Sequence, residues 1–125
     1  MNETSLLRSV LNHRVKKIEK YATEAEQIQR DVLKRLVSVA ANTEWGVKHN
    51  YVACTSYEKF AAAVDVQNYE TLKGFIDRMR HGEKDVLWKG RCKWYAKSSG
   101  TTNDKSKFIQ VTPAGLQNAH YKGGM

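Results

Sequence analysis

Between residues 93 and 112 the chain reads KWYAKSSGTTNDKSKFIQVT. Within it, Ser98, Ser99, Thr101 and Thr102 place four hydroxyls around Gly100, with Lys105 and Lys107 a few residues on. Phosphate oxygens are held by this kind of set: converging backbone N–H groups, hydroxyl donors and an ammonium, with a glycine that lets the backbone come close. Ordinary turns use the same residue types, so composition leaves a solvated turn and a phosphate loop both open. The Walker pattern GxxxxGK[ST] is not matched here, because no second glycine precedes a lysine, which disfavours a P-loop NTPase.

Other reactive residues are scattered. Cys54 and Cys92 lie far apart without CxxC spacing, and reduced thiols are expected rather than a disulfide. His13, His49, His81 and His120 do not cluster as zinc ligands do, and spacing alone pairs no Cys or Ser with a His. Net charge is +8, and residues 78–107 carry nine Lys/Arg against three Asp/Glu, so +6 of it leads into and through the hydroxyl-rich loop. This charge suits an anionic partner and equally a solvated basic face.

The elements that would position the loop follow from periodicity. Leu7, Val10, Leu11, Val15, Ile18 and Tyr21 recur at helical spacing. A second helical stretch has a capping-box pattern in Thr23 and Glu26, a stripe of Ile28, Val32, Leu36 and Val39, and i,i+4 pairs Glu26/Arg30 and Asp31/Arg35. One bent helix or two satisfy the pattern, which Asn42, Thr43 and Gly46 close. SYEKFAAA predicts a short helix capped by Ser56, with Tyr57, Phe60 and Ala61 on one side, and VDVQ is extended. Asn68 is placed to cap YETLKGFIDRMR, whose apolar side is Leu72, Phe75, Ile76 and Met79, with Gly82 at its end.

Strand character is confined to the last third, in DVLW, KWYAK and FIQVT. The last two flank a loop from Ser98 to Lys107, longer than an ordinary hairpin connection of about two to five residues. A helix is expected from near Pro113. Trp45, Trp88 and Trp94 are expected in the core. The expected class is α/β, or α+β within this piece: helical over 1–81, then a strand and phosphate-loop part over 82–125. Two strands alone are marginal in water, so the chain reads as part of a larger domain. No apolar run reaches the length of a membrane span and the start MNETSLLRSVLNHR lacks a signal layout, which leads us to expect a cytoplasmic protein without membrane association.

SSGTTNDKSK resembles the phosphate-loop motif of adenylate-forming enzymes related to firefly luciferase. The likeness is to the longer form found in the auxin-responsive (Gretchen Hagen 3) acyl acid-amido synthetases. TEWG at 43–46, SYEKF at 56–60, YETL at 69–72, GEKDVLW at 82–88 and HYKGG at 120–124 stand in the order and approximate spacing of bacterial members, so the resemblance covers about residues 24–125. The chain departs from that pattern at Asp65 and Gln110, where the family has proline, and near Asp104, where it has glycine.

The resemblance implies an N-terminal part of a two-step ligase that uses ATP and Mg2+. A carboxylic acid would attack the α-phosphate of ATP, pyrophosphate would leave with magnesium, and an amino acid amine would then displace AMP. By the same resemblance Ser98, Ser99, Thr101 and Thr102 would be phosphate donors, Gly100 the backbone opening and Lys107 the charge partner, with the rest of the nucleotide site beyond Met125 and the piece alone inactive. The competing readings are a basic nucleic-acid module, for which no zinc knuckle, RRM signature or recognition helix is present, and a helical interaction module. No nucleic-acid partner is expected, and no oligomeric state is implied.

Overall fold

The computed structural model describes residues 3–99 and 106–121. Helix α1 (Glu3–Thr23) and helix α2 (Ala25–Ala40) are parted by the single residue Glu24, whose φ of −119° and ψ of 17° bend the path. Backbone bonds run across the joint, from Glu24 N–H to Lys20 O at 2.7 Å and from Ile28 N–H to Glu24 O at 3.0 Å. The expected capping box at Thr23 is therefore not formed. Thr23 Oγ1 donates back to Lys20 O at 3.4 Å, and Glu26 pairs instead with Arg30 at 3.0 Å. Asp31 accepts from the Gln27 amide at 3.0 Å.

The buried face of α2 is not the expected stripe. Val37 and Ala40 are buried, Ile28 and Val32 are half-buried, and Leu36 and Val39 remain exposed. The inward direction is set by helix α3 (Glu44–Lys48) and the 3-10 turn Tyr51–Ala53, both of which pack on α2. Gly46 also departs from expectation, since it lies inside α3 rather than closing α2. A Cβ there would stand 2.0 Å from Ala40 O, so only glycine allows this approach of α3 to the end of α2.

Helix α4 (Tyr57–Ala63) starts as expected at Ser56, whose hydroxyl accepts Lys59 N–H at 3.4 Å. Of its anticipated inner side, Phe60 is half-buried, with its ring 5.9 Å from that of Tyr51, while Tyr57 and Ala61 face solvent. Helix α5 (Tyr69–Arg80) carries the capping box on which its start depends. Thr71 N–H donates to Asn68 Oδ1 at 3.0 Å, and Asn68 N–H donates to Thr71 Oγ1 at 3.2 Å. Its apolar side points inward as the spacing requires, with Ile76 and Met79 buried. The helix ends at Gly82, which takes a φ of +97°.

The core joins α2, α3 and α5 through Val37, Ala40, Trp45, Cys54, Ile76, Met79 and Val86. Trp45 packs edge-on to Phe75 at 5.2 Å and stacks obliquely on His49 at 4.2 Å. Trp88 is only half-buried and Trp94 is 58% exposed, so core placement holds for one tryptophan of the three.

The segment DVLW is not a strand. The Asp85 and Val86 carbonyls accept the first N–H groups of α3, from Glu44 at 2.8 Å and Trp45 at 3.0 Å. Asp85 takes a left-handed φ of 55° and closes a loop onto Gly90 through its carboxylate (2.7 Å) and its own N–H (3.2 Å). With its backbone groups engaged in capping a helix, this segment cannot extend a ladder.

Strands β1 (Trp94–Lys97) and β2 (Phe108–Val111) form an antiparallel hairpin whose register pairs Trp94 with Val111 and Lys97 with Phe108. Thr112 caps the helical turn α6 (Pro113–Gly115), accepting Gly115 N–H at 3.0 Å, and a π-helical turn follows over Leu116–Tyr121. The described residues are thus mainly helical with one two-stranded sheet, an α+β arrangement. None of their helices is long and apolar enough to cross a membrane.

Candidate functional site

The hydroxyl-rich loop leaves the hairpin at Ser98 and returns at Lys107. The two feet are locked together: Ser98 N–H donates to Lys107 O at 2.9 Å, and Lys107 N–H donates to Ser98 Oγ at 3.1 Å. Ser98 therefore closes the loop with its oxygen while keeping its own O–H as a donor. Ser99 is exposed beside it. Gly100, Thr101, Thr102 and Lys105 lie outside the described residues.

A second anchor comes from α5. The Tyr69 hydroxyl accepts Phe108 N–H at 3.0 Å, next to the loop's returning foot. The Lys107 ammonium lies 5.6 Å from the Tyr69 ring centroid, where the ring face attracts it. At the other end of α5, the Arg80 guanidinium stacks 3.6 Å over the Phe108 ring while pairing with Asp77 at 3.1 Å. The hairpin that presents the loop is thus held to a capped helix at both ends. No motif in the sequence marks Tyr69, Arg80 or Phe108 as supporting this site. The sequence signal available was the place of Tyr69 in the YETL motif, which carries no indication of its contact.

Chemically, the described part offers the Ser98 and Ser99 hydroxyls and the Lys107 ammonium on a fixed base, a donor set suited to an anion. Among the described residues no three His, Cys, Asp or Glu side chains converge as metal ligands. Cys54 and Cys92 are free thiols, the first buried under the α3 turn.

Residues 14–125 match the GH3 family N-terminal domain, and the chain belongs to that family. It is 31% identical over 93 residues to the indole-3-acetic acid-amido synthetase GH3.6 of Arabidopsis thaliana, an alignment covering 74% of this chain and 15% of that protein. The Arabidopsis thaliana indole-3-acetic acid-amido synthetases GH3.5 and GH3.15 are 28% and 31% identical, over 74% and 80% of the chain and 15% and 17% of their own lengths. The chain therefore spans about one-sixth of the curated relatives it matches. The amido synthetase class expected from the motifs is the class of these relatives.

Proposed function

We propose that the chain forms the phosphate-gripping N-terminal part of an ATP-dependent acyl acid-amido synthetase, within the large adenylate-forming domain of that enzyme. The observation that carries this reading is the family match across residues 14–125, which takes in the whole loop, together with relatives named as amido synthetases. In the proposed reaction a carboxylic acid oxygen attacks the α-phosphorus of ATP and the bond to the pyrophosphate oxygen breaks. An amino acid amine then attacks the acyl carbon, AMP departs and the amine proton is lost to solvent.

The loop acts in the first step. Negative charge gathers on the departing pyrophosphate, and donors already in place stabilise that state more than the ground state. Ser99, Thr101 and Thr102 supply hydroxyls, Gly100 admits the phosphate to the backbone, and Ser98 both closes the loop and keeps a proton to donate. Lys107 adds positive charge, steadied by the Tyr69 ring. Magnesium would accompany the triphosphate and neutralise part of its charge.

The test is acid-dependent exchange of pyrophosphate into ATP by the intact enzyme. Loss of one preorganised donor costs on the order of 3 kcal/mol in well-studied sites, about a hundredfold in rate, and an exposed hydroxyl should lie at or below that. Ser99→Ala and Thr101→Ala are each expected to slow exchange by about tenfold to a hundredfold with the fold retained. Wild-type exchange and ATP dependence in both variants would remove the phosphate-loop assignment.

A further inference from the structure

A separate basic cavity of about 460 Å³ lies where the end of α5 meets the chain entering β1, lined by Arg80, His81, Arg91, Cys92, Lys93 and Tyr95. Of the described loop residues, Ser98, Ser99, Ser106 and Lys107, none lines it. Of its three permanent cations, only Arg80 has an acidic partner among the described residues, Asp77. The Arg91 guanidinium is seated against Gly82, where a Cβ would come within 2.9 Å of it, so the left-handed glycine that ends α5 also makes room for this charge. Lys93 has no counter-ion among the described residues.

Polar groups complete the lining. The Tyr95 hydroxyl is buried and meets no partner at hydrogen-bonding geometry. Burial, with the neighbouring Cys92 thiol, pushes its phenol up to about 12, and like any tyrosine it is a proton donor at neutral pH. His81 Nδ1–H donates to Asp77 O at 2.7 Å, which leaves Nε2 as its remaining polar atom. A buried donor without an acceptor, beside the exposed Arg91 and Lys93, which have no counter-ion among the described residues, suits a ligand with negative charge and several oxygens. A phosphate monoester answers this better than a carboxylate, since it brings up to two charges and three terminal oxygens, and guanidinium groups match its geometry.

We propose that this cavity binds the phosphate group of a small phosphorylated molecule, at a place distinct from the hydroxyl-rich loop. Arg91 and Lys93 supply the charge, Tyr95 donates a directional hydrogen bond, and Arg80, held by Asp77 and Phe108, forms the fixed wall.

The experiment is an NMR titration of the full chain at constant ionic strength, with inorganic phosphate and, separately, acetate. Saturable shifts at Arg91, Lys93 and Tyr95 are expected, with acetate at least about tenfold weaker, because a singly charged ion gains less from the same cations. The Arg91→Gln/Lys93→Gln double variant should weaken phosphate by about tenfold or more, whereas Ser99→Ala/Thr101→Ala should leave this binding unchanged. Core amide shifts at Met79 and Val86 report whether the double variant is folded. If it is not, Tyr95→Phe replaces it, with an expected loss of about threefold to tenfold. A linear, non-saturating response to phosphate, equal affinity for acetate, undiminished binding in the folded cavity variant, or loss of binding in the loop variant would each overturn the proposal. So would saturable binding of an acidic peptide without any response to phosphate.

Discussion

Thr43 is 1% exposed, and both functions of its hydroxyl are engaged: Oγ1 donates to Ala40 O at 2.7 Å and accepts Gly46 N–H at 3.0 Å. Thr43→Val keeps the shape but strands the Gly46 donor, while Ala40 O retains the Thr43 backbone N–H. A loss of about 1 kcal/mol, up to about 2, is expected, as for other helix caps. Gly46→Ala should cost more, about 1–3 kcal/mol or above, because its methyl meets backbone on the α2 side that no side-chain rotation can clear. Urea denaturation ranks the two, and an alanine at 46 within about 0.5 kcal/mol of wild type would contradict the described junction of α2 and α3. At the loop foot, Tyr69→Phe removes the acceptor of Phe108 N–H. That amide should exchange faster, with about 1 kcal/mol lost locally.

Between elements, Arg78 of α5 ties α3 to the segment that follows α5. Its guanidinium donates to both Glu44 oxygens, at 3.0 and 2.6 Å, and to Glu83, with Nε to Oε2 at 2.8 Å. These bonds hold both carboxyls below their ordinary value of 4.5 and push the guanidinium up. The unfolded chain therefore binds more protons than the folded one just below pH 4.5. The contribution of the network is complete above that point and is lost as pH falls through the depressed values. All three side chains are exposed, so the effect is small and weakened by salt. Urea midpoints at about pH 6 and about pH 3 should differ less in Arg78→Gln than in wild type, and the gap between the two proteins should shrink at about 1 M salt. An unchanged acid dependence in the variant would show that the tie carries no stability.

For the molecule as a whole, stability should be uneven. Amides of α2, α3 and α5 are covered by Val37, Trp45, Met79 and Val86, whereas among the described residues β1 and β2 pair only with each other and leave Trp94 and Ile109 exposed. Hydrogen exchange should therefore protect the helical core more strongly than 94–97 and 108–111, and uniform protection across both regions would contradict this. The chain by itself is expected to form no AMP from ATP and a carboxylic acid. A phosphate loop of the proposed kind cannot by itself hold the reacting atoms in attack geometry, and positioning supplies much of the rate. Turnover by the pure chain would overturn that expectation.

What the sequence determined by itself was local. Asn68 with Thr71 starts α5, Ser56 starts α4, Gly82 ends α5, and KWYAK and FIQVT make the hairpin, because caps, left-handed glycines and β-branched runs act through neighbours a few residues away. The hydroxyl and glycine content of the loop, and the family, were legible for the same reason: they are patterns of residue types along the chain. Tertiary structure alone decided which face of α2 is buried, because the helix turns toward α3 and the Tyr51–Ala53 turn rather than along its most apolar stripe. It made DVLW a helix-capping loop, since α3 needed acceptors and Asp85 and Val86 provided them. It joined Tyr69 to Phe108 and gathered Arg80, Arg91, Lys93 and Tyr95 around one cavity. Such contacts are fixed by the packing of distant elements, and no spacing along the chain encodes them.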